Sequence, residues 1–135
     1  MENRTENLKI VNWKDLLQRG FDKGLIEKIM PLCLRDLNTF LYTLQMAVDQ
    51  SSVDEVKRSA HAIKGTAANM GAEQLSTAAL ELELIAEKQN LTDAPACLEK
   101  IQKAFDRLRH LVSQPDWIEP FISISTPGSP ATVNS

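Results

Sequence analysis

Residues 59–71 read "SAHAIKGTAANMG" and place a histidine, a lysine and a glycine within five positions: His61, Lys64 and Gly65. A solvent-exposed imidazole is a good nucleophile near neutral pH. Lys57 and Lys64, about one turn before and after, set ammonium groups beside it. Such charges disfavour the imidazolium form and balance the oxygens of an incoming phosphoryl group. Solvent screens both effects. The chemistry that suits this set is phosphoryl acceptance on His61. The sequence lacks what an autonomous kinase would need: a Gly-rich phosphate loop, a Walker lysine and a magnesium-binding carboxylate cluster. The expected donor is therefore another protein that brings its own metal and carboxylate, and no cofactor or metal site is expected here.

Whether His61 faces solvent depends on the helix that carries it. Ser52 and Glu55 have capping-box spacing. Val53, Val56, Ala60, Ile63, Ala67 and Met70 then alternate steps of three and four, an apolar seam that Gly71 ends. Positions three and four apart share a face. With that seam inside, Lys57, His61, Lys64, Gly65 and Ala68 form an adjacent outer stripe. Gly65 costs about 1 kcal/mol in mid-helix relative to Ala. Either a neighbouring helix packs closely there, or a large partner approaches His61 from outside; the exposed stripe favours the second. Candidate docking residues are Lys57, Ala68 and Asn69, with Arg58 further round the helix. Such contacts are expected to be transient, over a modest interface.

The remaining elements read as helices. A short one is predicted over 12–20, with Asn12 as N-cap, Leu16 and Leu17 inward and Gly20 as terminator. A long helix over 23–49 carries Ile26, Ile29, Cys33, Leu37, Leu41, Leu44 and Val48 at helical spacing, with a kink or short break expected at Pro31. A helix over 72–89 has Leu75, Ala79, Leu82 and Ala86 on one stripe, widened by Leu80, Leu84 and Ile85 as if it touched two neighbours. A last one over 94–113 buries Leu98, Ile101, Phe105, Leu108 and Val112; Thr92 or Asp93 could cap it, and Pro95 suits its first turn. The fold class is all-α: an up-down antiparallel four-helix bundle with a short extra N-terminal helix. The organisation is a flexible 1–11, a bundle over 12–114 and a partly disordered tail over 115–135. In that tail Trp117, Ile118, Phe121 and Ile122 are candidates to dock back, and "FISIS" alternates like a strand without a partner.

A net charge of -3 with no long basic run argues against nucleic-acid binding. No apolar stretch approaches the roughly 20 residues of a membrane span. "MENRTENLKIVNW" lacks a secretory apolar region, and Cys33 and Cys97 sit on apolar stripes in no metal spacing. The expected compartment is the cytoplasm. His110 closes the last helix, where a cation suits the dipole. Glu81, Glu83 and Glu87 read as a solvated acidic face, and Trp13 and Trp117 as seals of the bundle ends.

The run "AHAIKGTAANMGAEQLSTAALELE" resembles the signature of histidine-containing phosphotransfer domains. In that family a His is followed by two residues, then Lys-Gly, then a turn glycine, then a Leu-rich helix closing in Leu-Glu. His61 falls on the phosphorylated histidine, Lys64 and Gly65 on the Lys-Gly pair, Gly71 on the turn glycine, and Leu82 and Glu83 on the closing pair. The preceding "LIEKIMPLCLRDLNTFLYTLQMAVDQ" is similar to that family's long helix. Pro31 and the long tail depart from the pattern without touching the site. The resemblance implies a relay: a monomer that takes a phosphoryl group on His61 from the aspartyl phosphate of a receiver domain and passes it to another receiver. Its implied partners are response-regulator receivers and a hybrid sensor histidine kinase, and the receiver supplies the acidic pocket and Mg²⁺. Two other readings stand beside it. One is a bundle that binds a receiver or kinase without taking phosphate. The other is an enzyme using His61 as general base, for which no acidic partner is visible at helical spacing.

Overall fold

The computed structural model describes residues 10–125. It contains α1 Trp13–Gln18, α2 Lys23–Asp49, α3 Val53–Asn69, α4 Glu73–Glu87, α5 Ala94–Val112 and α6 Glu119–Ser125, with no strand among the described residues. Helices α2 to α5 each pack on the next, and α5 returns against α2. The molecule is the all-α four-helix bundle expected from the apolar periodicity. Leu37, Leu44, Ile63, Leu82, Ile101 and Leu108 are fully buried at its centre.

Local sequence explains most of the helix ends. The Asn12 side chain accepts from the Asp15 N–H, and the Asp22 side chain from the Leu25 N–H at 2.8 Å. The capping box at Ser52 does not form. Ser52 makes no side-chain cap bond, and Glu55 pairs instead with Arg58, one turn further on. The end of α3 is a Schellman turn: the Ala72 N–H reaches the Ala67 carbonyl and the Gly71 N–H the Ala68 carbonyl. Gly71 has φ +74°, and a Cβ there would lie 3.2 Å from the Asn12 carbonyl oxygen, so both backbone and packing favour glycine.

Four further expectations change. Pro31 lies inside a continuous α2 and causes no break. It is exposed, as is Glu27, so the carbonyl that loses its partner faces water. Leu80 and Leu84 do not widen the buried stripe of α4; they are 39% and 48% exposed, while Ile85 is half-buried. Each is two positions from Leu82, about 160° round the helix, a direction that neither α3 nor α5 covers. "FISIS" lies in α6, a helix, where Phe121 is fully buried. Ile10 and Val11, placed by the sequence in a flexible segment, are buried. Residues 1–9 and the segment after Pro127, read as disordered, lie outside the described residues.

Helices α1 and α6 pack together at one end of the bundle. The Trp13 ring lies 6.3 Å from Trp117 and 6.5 Å from Phe121, so both tryptophans seal that end. The Asn12 N–H donates to the Gly71 carbonyl at 2.8 Å, and Leu16 packs on Gly71. Helix α1 is thereby fixed over the turn that follows the histidine-bearing helix.

Candidate functional site

Helix α3 buries Val56, Ala60, Ile63 and Ala67 and turns His61 outward, with 67% of its side chain exposed. The ring is not free to rotate. Its Nδ1 lies 2.8 Å from Glu83 Oε2 on α4, and the Lys64 Nζ lies 2.7 Å from the other oxygen, Oε1. One carboxylate thus binds both residues singled out by the sequence. The Ser76 hydroxyl donates to the Lys64 carbonyl, a further tie between the two helices at this level. One turn earlier Lys57 pairs with Glu87 at 3.5 Å, a more exposed rung between the same two helices.

Glu83 is the functional residue that sequence reasoning missed. The reading as a solvated acidic face holds for the exposed Glu81 and Glu87 and fails for Glu83, which is buried. Burial pushes its carboxyl up, but hydrogen bonds from Lys64 and His61 and their charges outweigh this and leave it below the usual glutamate value. The periodicity of α4 carried no sign of this, because the partners lie on another helix. The only signal was the Leu82–Glu83 pair that closes the family signature.

The electrostatic picture changes accordingly. The sequence put two ammonium groups beside the ring, whereas the group that touches it is a carboxylate, and each lysine already has its own glutamate. A carboxylate can only accept, so Nδ1 carries the proton toward Glu83. In the neutral ring this tautomer leaves the lone pair on Nε2.

Around this centre the relief is low. A Cβ at Gly65 would meet nothing within 4 Å, so no neighbouring helix requires glycine there. Ala68 and Asn69 are exposed, and their carbonyls accept from Arg19 on the α1–α2 elbow, at 2.9 and 3.4 Å. Arg19, itself paired with Asp15, is a second contributor that the sequence did not reveal; it covers the C-terminal carbonyls of α3 with a cation. Arg58 is exposed and engaged with Glu55. His110 is exposed on α5, the fourth helix of the bundle, and its side chain takes no part in the site. Among the described residues no group of three or more His, Cys, Asp or Glu side chains is placed to hold a metal ion. Burial pushes both the Cys33 and Cys97 thiols up, in keeping with small apolar packing residues.

The family model of the Hpt domain matches residues 28–111, which include every member of this site on α3 and α4. The chain belongs to the Hpt domain family. Histidine-containing phosphotransfer protein 1 of Arabidopsis thaliana is 24% identical over 91 residues, which are 66% of this chain and 59% of that protein. The match therefore spans less than two thirds of the relative's length. The crystal structure of histidine-containing phosphotransfer protein B from Pseudomonas aeruginosa is similar with a TM-score of 0.67 at 24% identity, over 83% of this chain and 92% of that one. That likeness shows the Hpt bundle fold.

Proposed function

We propose that this Hpt domain is a phosphorelay carrier in which His61 accepts a phosphoryl group from the aspartyl phosphate of a receiver domain and passes it to another receiver. The observation that carries the reading is the 2.8 Å contact between Nδ1 of an exposed ring and Glu83. It holds one nitrogen as donor and presents the other, Nε2, to solvent as nucleophile. In the forward step the Nε2 lone pair attacks phosphorus and the bond from phosphorus to the aspartyl oxygen breaks. The aspartate leaves as a carboxylate, and the positive charge gained by the ring is balanced through Nδ1–H by Glu83. Lys64, one turn from His61, is within reach of the transferred oxygens. The receiver contributes the metal ion and acidic pocket, and the chain itself is a carrier rather than a kinase. Return of the phosphoryl group to a second receiver reverses the same bonds.

Docking of the receiver uses the low surface around His61. Gly65 and Ala68 leave clearance, Lys57, Arg58 and Asn69 supply polar contacts, and the Arg19 clamp holds the rim in place. The test is incubation with a panel of phosphorylated receiver domains, followed by mapping of the label. The expected result is an acid-labile, base-stable label on the wild-type chain and none on a folded His61→Gln variant. Receiver binding without label would instead establish a pure interaction module, and label retained by His61→Gln would refute the assignment of the acceptor.

A further inference from the structure

Leu80 and Leu84 are large apolar side chains one turn apart, both turned to water on a helix that is otherwise well used. The bundle does not need them for packing, because Leu75, Ala79, Leu82 and Ala86 already fill its side of α4. They lie on either side of Glu83 in sequence, and Glu83 is the residue that touches both His61 and Lys64. On α4 Leu80 lies one turn before Glu83 and Leu84 directly follows it, so the apolar pair borders the carboxylate that holds His61. We infer that Leu80 and Leu84 form the α4 part of the surface on which the phosphoryl-exchanging receiver domain sits. The inference rests on the acceptor reading and extends it to residues outside the histidine-bearing helix.

The size of the patch selects the occupant. The area still exposed on two such leucines is on the order of 100 Å². A stable, specific interface buries roughly 1,200–2,000 Å². The pair cannot hold two copies of the chain together by itself. It is large enough to add to a footprint already centred on His61, and a contact of that kind suits a partner that must leave after transfer. Two leucines beside a ring of charge also give the apolar centre and polar rim of an ordinary transient interface: Glu81, Glu87 and Lys88 surround them and are exposed.

The experiment compares wild type with Leu80→Gln/Leu84→Gln, using a phosphorylated receiver that labels the wild type. Because both side chains face solvent, the variant is expected to unfold at the same temperature as wild type or higher. KM for the receiver should rise by roughly tenfold, the effect of withdrawing two partly exposed leucines from a contact. The maximal transfer rate and the lifetime of isolated phosphohistidine should not move, and Leu84→Met should keep the wild-type KM. Should the double variant fail to fold, Leu84→Gln alone carries the same comparison. An unchanged KM overturns the inference. So does a concentration-dependent dimer, seen by sedimentation, that the substitutions abolish while KM stays constant. Absence of label on the wild type defeats the acceptor reading and this inference with it, whereas label with equal KM defeats this inference alone.

Discussion

Glu83→Ala separates the role of the carboxylate from that of the nucleophile. The substitution removes two charge-assisted contacts, 2.8 Å to His61 and 2.7 Å to Lys64. Hydrogen bonds to charged groups contribute about 1.5–3 kcal/mol each when both partners are dry. Here the His61 side chain is 67% exposed and that of Lys64 is 30% exposed, so water takes over much of what is lost. The stability cost should be about 1–2 kcal/mol, well short of unfolding a bundle with this core. The effect on chemistry is of another kind. Without Glu83 the proton is no longer held on Nδ1, the ring turns about its side-chain bonds, and the charge it gains on transfer is uncompensated. Removing the partner that orients a functional histidine costs about 10–100-fold at metal centres. Losing the correct tautomer in a serine protease triad costs ~10⁴-fold, an upper limit for this open site. A fall of about 10–100-fold in the maximal transfer rate is expected, equivalent to about 1.4–2.7 kcal/mol, with KM for the receiver little changed. Rapid-quench phosphotransfer gives both constants, and ¹⁵N spectra of the imidazole report the tautomer directly. Glu83→Gln should lose less, since its amide oxygen can still accept from Nδ1–H. A Glu83→Ala variant that is folded and transfers within twofold of wild type would refute the reasoning.

The other expectations concern single contacts. Lys64→Ala should slow transfer and shorten the phosphohistidine lifetime while changing stability by less than about 1 kcal/mol, because the ion pair it breaks is partly solvated; unchanged kinetics and lifetime would reduce Lys64 to a structural partner of Glu83. Gly65→Leu should raise KM for a receiver tenfold or more, yet leave stability equal or up by about 0.5–1 kcal/mol, since the added side chain meets only open space. Urea unfolding of Pro31→Ala should show a gain of about 1–3 kcal/mol, because an exposed interior proline is replaced by the best helix former; no gain would show that the helix deforms around Pro31 at little cost. The carboxyl of Glu83 sits below its ordinary value of 4.5, so its contribution to stability is complete above that pH and fades as pH falls through the lowered value. The stability advantage of wild type over Glu83→Gln should therefore shrink on acidification, and a difference independent of pH down to strongly acidic conditions would disprove the linkage.

What the chain declares in one dimension, and what it hides, follows from the range of each interaction. The α3 seam of Val56, Ala60, Ile63, Ala67 and Met70 was legible because a helix folds its periodicity locally, and the same rotation that buried them turned His61 outward. Gly71 was legible because glycine is the residue that most readily takes a positive φ after a helix end. The capping box at Ser52 failed because Glu55 had a nearer competitor in Arg58, and spacing alone cannot rank two local partners. Glu83 and Arg19 were invisible for a deeper reason. Each acts on α3 from outside that helix, 22 and 50 residues away in sequence from His61 and Asn69, and no single-helix pattern encodes such a contact. Leu80 and Leu84 show the converse. Their apolarity was plain in the sequence and was assigned to the core because apolar residues usually have neighbours within their own fold. The bundle offers α4 two neighbours, and these leucines face neither. A helix whose apolar arc is wider than its own fold can cover has more hydrophobic surface than folding explains, and the excess lies beside the one carboxylate that orients the histidine. That placement sets the misjudged leucines beside the missed glutamate: buried Glu83 is completed by His61 and Lys64 of its own chain, whereas Leu80 and Leu84 are left as the apolar surface that the inferred receiver contact would cover.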